Sequence, residues 1–352
     1  MNFFARLADL PVEVGAYGLG GLSRDVSSAF TRETTVVQLE GAGHEGVGED
    51  VTYAAEDQRA FQSAGATLSL AGRHTLASFS ELLETLELFP GGASDDAFRN
   101  YRRWGLESAA LDLALRQAGL SLSGALRRTP APVAFVVSMR LGEPPSAEPV
   151  RKWLELYPDL RFKLDPTSSW DENLIAELVD TGAIDSVDLK GAYRGTVVDQ
   201  PPDPVLYERV ASAFPDAWIE DPALTPETEP VLSAHRDRIT WDAVIHSVED
   251  IEALPFAPRM LNIKPSRFGS LRSLFDAYDH CEANGIRTYG GGQFELGPGR
   301  GQIQYLASLF HPHEPNDVAP GGYNDAEPKA GLPTSPLAAP GDEPGFRLDT
   351  GG

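Results

Sequence analysis

Cysteine, long apolar runs and lysine are all scarce in this sequence of 352 residues. Its single cysteine, Cys281, excludes an internal disulfide. Such a composition is typical of a reducing compartment, so we expect a cytoplasmic protein. There is no apolar run of about 18 residues, and residues 1–18 lack a basic stretch followed by an apolar core. We therefore expect neither a membrane span nor a signal peptide.

The shortage of basic residues argues against nucleic-acid and membrane partners. Lys and Arg together number 29 against 52 Asp and Glu, which gives a net charge of −23 at pH 7. A surface of this sign repels phosphate backbones and anionic lipids, so we expect no nucleic-acid or membrane partner. The absence of a G-x-G-x-x-G motif after an early strand also argues against a dinucleotide-binding fold.

Only five of the basic residues are lysines, and their positions are informative. Arginine holds its proton near neutral pH, whereas lysine can release one when its pKa is lowered. A chain so poor in lysine is expected to retain some of them for chemistry. The five are Lys152, Lys163, Lys190, Lys264 and Lys329.

The pattern of predicted elements changes at the Thr-Pro-Ala-Pro segment, residues 129–132. Residues 1–130 predict an α+β domain, and residues 131–322 alternate short apolar strands with amphipathic helices. The predicted strands are 133–139, 161–165, 186–190, 217–221, 239–242, 260–264, 286–289 and a weak eighth at 317–318. This repetition predicts an α/β fold, a (β/α) barrel of the TIM type capped by the α+β domain. The Gly- and Pro-rich residues 323–352 are expected to return to the cap.

Carboxylates stand at the ends of three successive predicted strands. In such a barrel the reactive groups lie at the carboxyl ends of the strands, where Asp188, Glu220 and Asp242 are found. Three oxygen ligands suit a hard cation such as Mg²⁺, which keeps open positions for water or substrate. Because the strand ends carry no His or Cys, zinc is a poor fit. The plain alternative is that these acids are solvated or paired with arginines.

Two of the lysines are predicted to face each other across the barrel mouth. Lys163 ends the second strand and Lys264 ends the sixth. Arg161, two residues before Lys163, and a bound metal would place positive charge beside Lys163, lower its pKa and make it a usable base. A metal would also stabilise the negative charge that develops on a carboxylate substrate when its α-proton leaves.

At this point the residues resemble the enolase superfamily, and within it the muconate cycloisomerase-like (mandelate racemase/muconate lactonizing enzyme) members. The resemblance spans most of the chain. The matching segments are 35–49 (TVVQLEGAGHEGVGE), 105–119 (GLESAALDLALRQAG), 261–269 (LNIKPSRFG), 294–297 (FELG) and 316–320 (NDVAP). It implies metal ligands at Asp188, Glu220 and Asp242, acid/base lysines at Lys163 and Lys264, and a substrate-side carboxylate at Glu295.

The sequence departs from that pattern at three positions. Arg161 replaces the first lysine of the usual Lys-x-Lys and is expected to clamp a carboxylate. Lys190 replaces the asparagine of Asp-x-Asn and is expected to reach the pocket, where it could bind an anionic group of the substrate. Ala243 replaces a glutamate after Asp242, which predicts the loss of a neighbouring carboxylate. The seventh strand has no histidine, which excludes the base used by mandelate racemase-like members.

These observations predict a magnesium-dependent enzyme that removes the proton α to the carboxylate of a small-molecule substrate. Lysines on opposite faces permit racemisation or epimerisation, and the same pair permits cycloisomerisation or β-elimination, so the outcome stays open. Two alternatives remain, a dehydratase of acid sugars or hydroxy acids and a catalytically silent barrel that binds an anionic metabolite. Glycine-rich residues 17–32 could close over the mouth, with Arg24 and Arg32 meeting the substrate. A homo-oligomer is expected because symmetric assemblies are common.

Overall fold

The computed structural model describes residues 2–26, 30–193, 200–325 and 327–348. Among the described residues, the amino-terminal domain contains five strands and four α-helices, in the order that follows. They are β1 (Pro11–Val14), β2 (Ala16–Val26), β3 (Phe30–Gly41), β4 (His44–Asp50), α1 (Ala55–Ala64), β5 (Gly72–Thr75), α2 (Leu76–Thr85), α3 (Ala97–Ala118) and α4 (Leu122–Leu126). β2, β3 and β4 form an antiparallel meander, and β1 pairs with β5. The predicted α+β domain is therefore present.

Helix α3 lies directly on strand β4 because glycines remove the side chains between them. A Cβ atom at Gly46 would be 2.3 Å from the backbone nitrogen of Leu113, and one at Gly48 would be 2.1 Å from the carbonyl oxygen of Gly105. Leu106, Ala109 and Leu113 recur at helical spacing along α3, and all three are fully buried. The helix and the meander thus form one packed unit.

The described part of the second domain continues the series with seven strands and eight α-helices. They are β6 (Val137–Met139), α5 (Glu148–Leu156), β7 (Phe162–Leu164), α6 (Glu172–Thr181), β8 (Ile184–Asp188), α7 (Pro204–Ala213), β9 (Trp218–Glu220), α8 (Glu229–Leu232), β10 (Ile239–Thr240), α9 (Val248–Glu252), β11 (Met260–Ile263), α10 (Pro265–Phe268), α11 (Leu271–Ala283), β12 (Arg287–Gly290) and α12 (Pro298–Phe310). Strands β6 to β10 form a continuous parallel sheet, and β11 pairs in parallel with β12. The backbone N–H of Asn262 donates to Trp241 O at 3.0 Å and joins the two sheets.

The ring closes through the position of the weak eighth strand. Gly291 forms a parallel β-bridge with Asp317. Phe135 forms a parallel β-bridge with Asn316, which precedes Asp317 in the chain. Two residues thus connect β12 with the chain that enters β6, in place of a regular strand. The predicted barrel with an α+β cap is confirmed, although its strands are shorter than predicted.

The carboxyl-terminal segment lies against both domains. The ring of Phe346 packs edge-on against Trp104 of α3 at 6.4 Å and against Tyr305 of α12 at 6.0 Å. Asp112 of α3 accepts the backbone N–H of Phe346 at 2.8 Å and the Nε–H of Arg347 at 2.6 Å. Among the described residues, no helix combines the length and the hydropathy that crossing a bilayer requires.

Candidate active site

The carboxyl ends of the barrel strands carry a buried cluster of charged side chains. Parallel strands end at one edge, so residues far apart in sequence meet there. The members, all nine-tenths or more buried, are Lys163 in β7, Asp188 at the end of β8, Glu220 and Asp221 at the end of β9, Asp242 after β10, and Lys264 and Arg267 after β11. The predicted metal ligands and both predicted acid/base lysines are among them.

Lys163 pairs with three carboxylates. Its ammonium donates to Glu220 Oε1, and its Nζ lies 3.2 Å from Asp188 Oδ2 and 3.6 Å from Asp317 Oδ2. Burial by itself lowers the pKa of Lys163, but the negative charges of Glu220, Asp188 and Asp317 outweigh it and raise that pKa well above its usual value. Paired with these carboxylates, Lys163 is therefore an ammonium, which is opposite to the lowered pKa expected beside Arg161 and a bound metal.

Arg161 does not lie beside Lys163, which corrects the sequence interpretation. Its Nε donates to Asp185 Oδ1 at 3.0 Å, and its side chain is 41% exposed. The pairing register between β7 and β8 shifts between Phe162 and Lys163. An arginine that finds a partially exposed carboxylate on the next strand avoids the cost of burying a second cation next to Lys163. The predicted positive neighbour is therefore missing.

Lys190 lies against Asp188. Its backbone takes a left-handed conformation with φ 52°, so its N–H donates to Asp188 Oδ1 at 3.1 Å while its ammonium donates to Asp188 Oδ2. Burial raises the pKa of Asp188, but the ammonium groups of Lys190 and Lys163 outweigh it and hold that pKa well below its usual range. The expectation that Lys190 reaches the pocket agrees with this position, and its role toward a substrate stays a prediction.

Asp242 is held by three donors. Lys264 Nζ lies 2.8 Å from Asp242 Oδ2, the hydroxyl of Tyr193 donates to the same oxygen at 2.8 Å, and Arg267 Nη1 lies 3.0 Å from Oδ1. Burial raises the pKa of Asp242, but Arg267 and Lys264 outweigh it and hold that pKa far below its usual range. Sequence reasoning missed Tyr193 and Arg267, although Arg267 lies within the quoted LNIKPSRFG segment.

The sequence interpretation also missed Asp221. Although Ala243 has no carboxylate, that of Asp221 lies next to Asp242. Its two oxygens accept the backbone N–H groups of Asp242 at 2.8 Å and Ala243 at 2.9 Å. Burial, together with the charges of Asp242 and Asp188, raises the pKa of Asp221 to about 7. The adjacent Glu-Asp pair at the end of β9 was the available sequence signal.

The cluster contains more acidic than basic side chains. Among the described residues its acids are Asp165, Asp188, Glu220, Asp221, Asp242 and Asp317, and its cations are Lys163, Lys190, Lys264 and Arg267, with the half-exposed Arg140 at its rim. Burial and the neighbouring acids raise the pKa of Glu220 to about 8, against the opposing charge of Lys163. The acids outnumber the cations, and a divalent ion would stabilise Glu220 and Asp221 in their ionised forms.

The carboxylate grouping that could hold an ion differs by one residue from the predicted one. Ligand oxygens of Asp188, Glu220 and Asp221 lie within 4.8 Å of one another. The grouping retains two of the predicted ligands and contains Asp221 in place of Asp242, whose oxygens contact Lys264 and Arg267. Oxygen-only donors remain consistent with magnesium.

Comparison with known families identifies the chain by sequence. The family model described as "Domain of unknown function (DUF8230) N-terminal domain" matches residues 5–125. The model of the C-terminal domain of the same family matches residues 129–325. The chain belongs to the DUF8230 family. A curated relative, o-succinylbenzoate synthase of Bacillus subtilis (strain 168), is 26% identical over 239 residues. That alignment covers 61% of this chain and 58% of the relative, so the chain spans less than two thirds of the relative's length.

Solved structures show the fold of this DUF8230 chain. One similar structure is a dipeptide epimerase from Methylococcus capsulatus, complexed with Mg ion. It is 18% identical, its TM-score is 0.71, and the alignment covers 95% of this chain and 99% of the epimerase chain. An enolase superfamily member from Listeria innocua Clip11262 is 19% identical at TM-score 0.68, covering 96% and 95%. Muconate cycloisomerase from Pseudomonas fluorescens is 18% identical at TM-score 0.64, covering 96% of each chain. The structural neighbours are thus enolase superfamily members, which confirms the predicted resemblance.

In this DUF8230 chain Glu295 lies in the loop between β12 and α12. Its Oε1 accepts the backbone N–H of Gln293 at 2.7 Å, and Arg300 Nη2 lies 3.5 Å from its Oε2. Gln293 in turn accepts a hydrogen bond from the Tyr53 hydroxyl at 2.9 Å and donates to the Tyr101 hydroxyl at 3.2 Å. The cap thus contributes tyrosines beside this loop. A role for Glu295 toward a substrate stays a prediction.

The two candidate arginines of the cap are engaged elsewhere. Arg24 forms an ion pair with Asp325. Arg32 is fully buried, donates to the carbonyls of Thr52 at 2.8 Å and Gln293 at 3.0 Å, and lies 4.3 Å from the centre of the Tyr53 ring. Arg32 therefore ties the cap to the loop after β12. Of the segment proposed to close over the mouth, residues 27–29 lie outside the described residues, and the rest forms strands β2 and β3.

Proposed function

We propose that the protein is a magnesium-dependent enzyme that removes the proton α to the carboxylate of a small organic acid. The observation that carries the proposal is the placement of two buried lysines on one acidic cluster. Lys163 is paired with Glu220, and Lys264 is paired with Asp242 at 2.8 Å. They come from β7 and from the end of β11, which lie in the two separate sheets of the barrel. This pairing supports one lysine as base and the other as acid.

Asp188 and Glu220 belong to the cation site in both groupings, and we propose Asp242 as the third ligand. Each oxygen of Asp221 already accepts a backbone N–H, whereas Oδ1 of Asp242 accepts no hydrogen bond from the described residues, although Arg267 Nη1 lies 3.0 Å away. A bound magnesium would polarise the substrate carboxylate and stabilise the negative charge that forms on it. Asp221 would then position Asp242 through its backbone.

The lysines must exchange protons for this chemistry. Lys163 is held as an ammonium by Glu220 and Asp188, so in this pairing it carries the proton that an acid needs. When the charge of those acids is compensated, the attraction that holds the proton falls and burial favours the neutral amine. Lys163 is 1% exposed and Lys264 is 7% exposed, which keeps bulk water away from both groups.

The relatives suggest substrate classes to test. Their names point to dipeptides, muconate and o-succinylbenzoate. The dehydratase alternative adds hydroxy acids to these classes. We therefore place hydroxy acids beside amino-acid derivatives among the compounds tested. Substrate identity, a homo-oligomeric state and a cytoplasmic location stay predictions.

The test is solvent deuterium incorporation. The protein is incubated with MgCl₂ in D₂O and a library containing dipeptides, muconate, o-succinylbenzoate and hydroxy acids, with a chelated sample as control. A mass gain at one α-carbon that disappears on chelation supports the proposal and names the substrate class. Magnesium binding without exchange in any compound would favour the silent barrel instead.

A further inference from the structure

Lys190 is an unusual neighbour for a proposed metal ligand. It follows β8 in a left-handed conformation, and both its backbone N–H and its ammonium group bind Asp188. Lys163 Nζ lies 3.2 Å from the same carboxylate. A divalent cation that coordinates Asp188 must therefore approach a carboxylate that already bonds two ammonium groups, and like charges that share one carboxylate repel each other.

A second acceptor lies within reach of Lys190. Asp165 follows β7 and is 8% exposed, and its Oδ1 lies 3.7 Å from Lys190 Nζ. Among the described residues this oxygen has no hydrogen-bond donor. Its other oxygen accepts from Arg140 Nε at 3.2 Å. A charge-assisted hydrogen bond is about 2.8 Å long, so a shift of about 1 Å would bring the ammonium into contact with Oδ1.

We propose that Lys190 competes with a divalent cation for Asp188, and that Asp165 accepts the Lys190 ammonium when such a cation binds Asp188. Asp165 is then a positioning residue that makes the displacement favourable. This inference rests on the metal site of the proposed function, but not on its reaction. An uncharged side chain at position 190 would not compete with the metal.

Magnesium titration by calorimetry tests this arrangement on the full chain. Lys190→Met should tighten magnesium binding at least tenfold, because the competing ammonium is gone. Asp165→Asn should weaken it at least fivefold, because the displaced ammonium loses its acceptor. In the Lys190→Met background, Asp165→Asn should change affinity less than twofold. Lys190→Arg, which keeps the charge, and Lys152→Met, at a half-exposed lysine, serve as controls and should stay within threefold of the parent.

Three results would overturn the inference. They are an affinity that Lys190→Met does not tighten, an Asp165→Asn effect of equal size in both backgrounds, and an absence of magnesium binding in both parent and Lys190→Met. The second result would mean that Asp165 acts only through its general charge. If Lys190→Met fails to fold by circular dichroism, Lys190→Gln replaces it in the same cycle. Deuterium exchange by the parent, measured separately, shows whether the proposed function survives when this inference fails.

Discussion

Asp221 accepts the backbone N–H groups of Asp242 and Ala243, at 2.8 and 2.9 Å, across two neighbouring strand ends. Asp221 itself adopts a left-handed conformation with φ 47°. A carboxylate at the end of β9 therefore fixes the start of the loop that follows β10. This relationship places Asp221 behind Asp242 in our proposal, whereas the spacing of carboxylate oxygens groups it with Asp188 and Glu220.

Single substitutions distinguish the two candidates for third ligand. Asp242→Asn should weaken magnesium binding about 100-fold, while Asp221→Asn should keep it within tenfold. Because an asparagine at 221 can still accept one of the two N–H groups, we expect Asp221→Asn to cost about 1–3 kcal/mol of unfolding free energy. Calorimetric titration and urea unfolding measure the two effects. The reverse order of affinities would make Asp221 the ligand.

Removal of the second lysine should separate chemistry from metal binding. Lys264→Met removes one proposed acid/base group, so α-proton exchange should fall about 1,000-fold, the middle of the range that such a group contributes. Magnesium affinity should be kept or increased, because Asp242 loses an ammonium 2.8 Å away. Lys152→Met changes a half-exposed lysine and should leave exchange unaltered. Full exchange by Lys264→Met would exclude the role proposed for it.

His311 should make the protein less stable in mild acid. Its ring nitrogens lie 2.6 Å from Asn316 Oδ1 and 3.0 Å from the Tyr278 hydroxyl. Burial lowers the pKa of His311 to about 4. An unfolded histidine titrates near 6.5, so between about pH 6.5 and 4 the unfolded chain binds the extra proton and stability falls as pH falls. We expect this histidine to contribute a loss of about 2 kcal/mol from pH 7.5 to pH 5.

The measurement is urea unfolding at the two pH values for the parent, His311→Gln and His313→Gln. Other groups titrate in the same interval, so the informative quantity is the difference between parent and variant. His311→Gln should lose less stability on acidification than the parent. His313 is exposed, and its substitution should leave the pH dependence unchanged. Equal pH dependence in all three proteins would show that His311 does not titrate as stated.

Glu49 should matter for the joint between the cap and the barrel. Its carboxylate accepts backbone N–H groups of Leu296 at 2.7 Å, Gly297 at 3.0 Å and Gly299 at 2.9 Å, at the start of α12. Glu49→Gln replaces one acceptor oxygen by a donor that faces these N–H groups, so we expect a loss of about 1–3 kcal/mol. Thermal unfolding measures it, with Glu81→Gln on the exposed face of α2 as the control. An unchanged midpoint would mean that these contacts add no net stability.

The arrangement of elements followed from local signals. Repeated strand–helix spacing predicts the barrel, and the scarcity of lysine indicates Lys163, Lys190 and Lys264 as candidates for function. Strand ends predicted that these residues and Asp188, Glu220 and Asp242 would share one edge, because parallel strands end together. The structure brings them together there, with the acids in contact with the lysines.

Other features depended on the tertiary structure. Arg161 binds Asp185 on the neighbouring strand, and the pairing register between β7 and β8 shifts beside it. No pattern within the segment around Arg161 indicates this partner. Asp221 joins the site from left-handed backbone after β9, Tyr193 from the loop after β8 and Arg267 from helix α10. In none of these places does side-chain direction follow strand alternation. The sequence by itself thus determined the fold and the strand-end residues, since periodicity is local. Packing decided which charges pair, because burial permits a charge only where a partner is in reach.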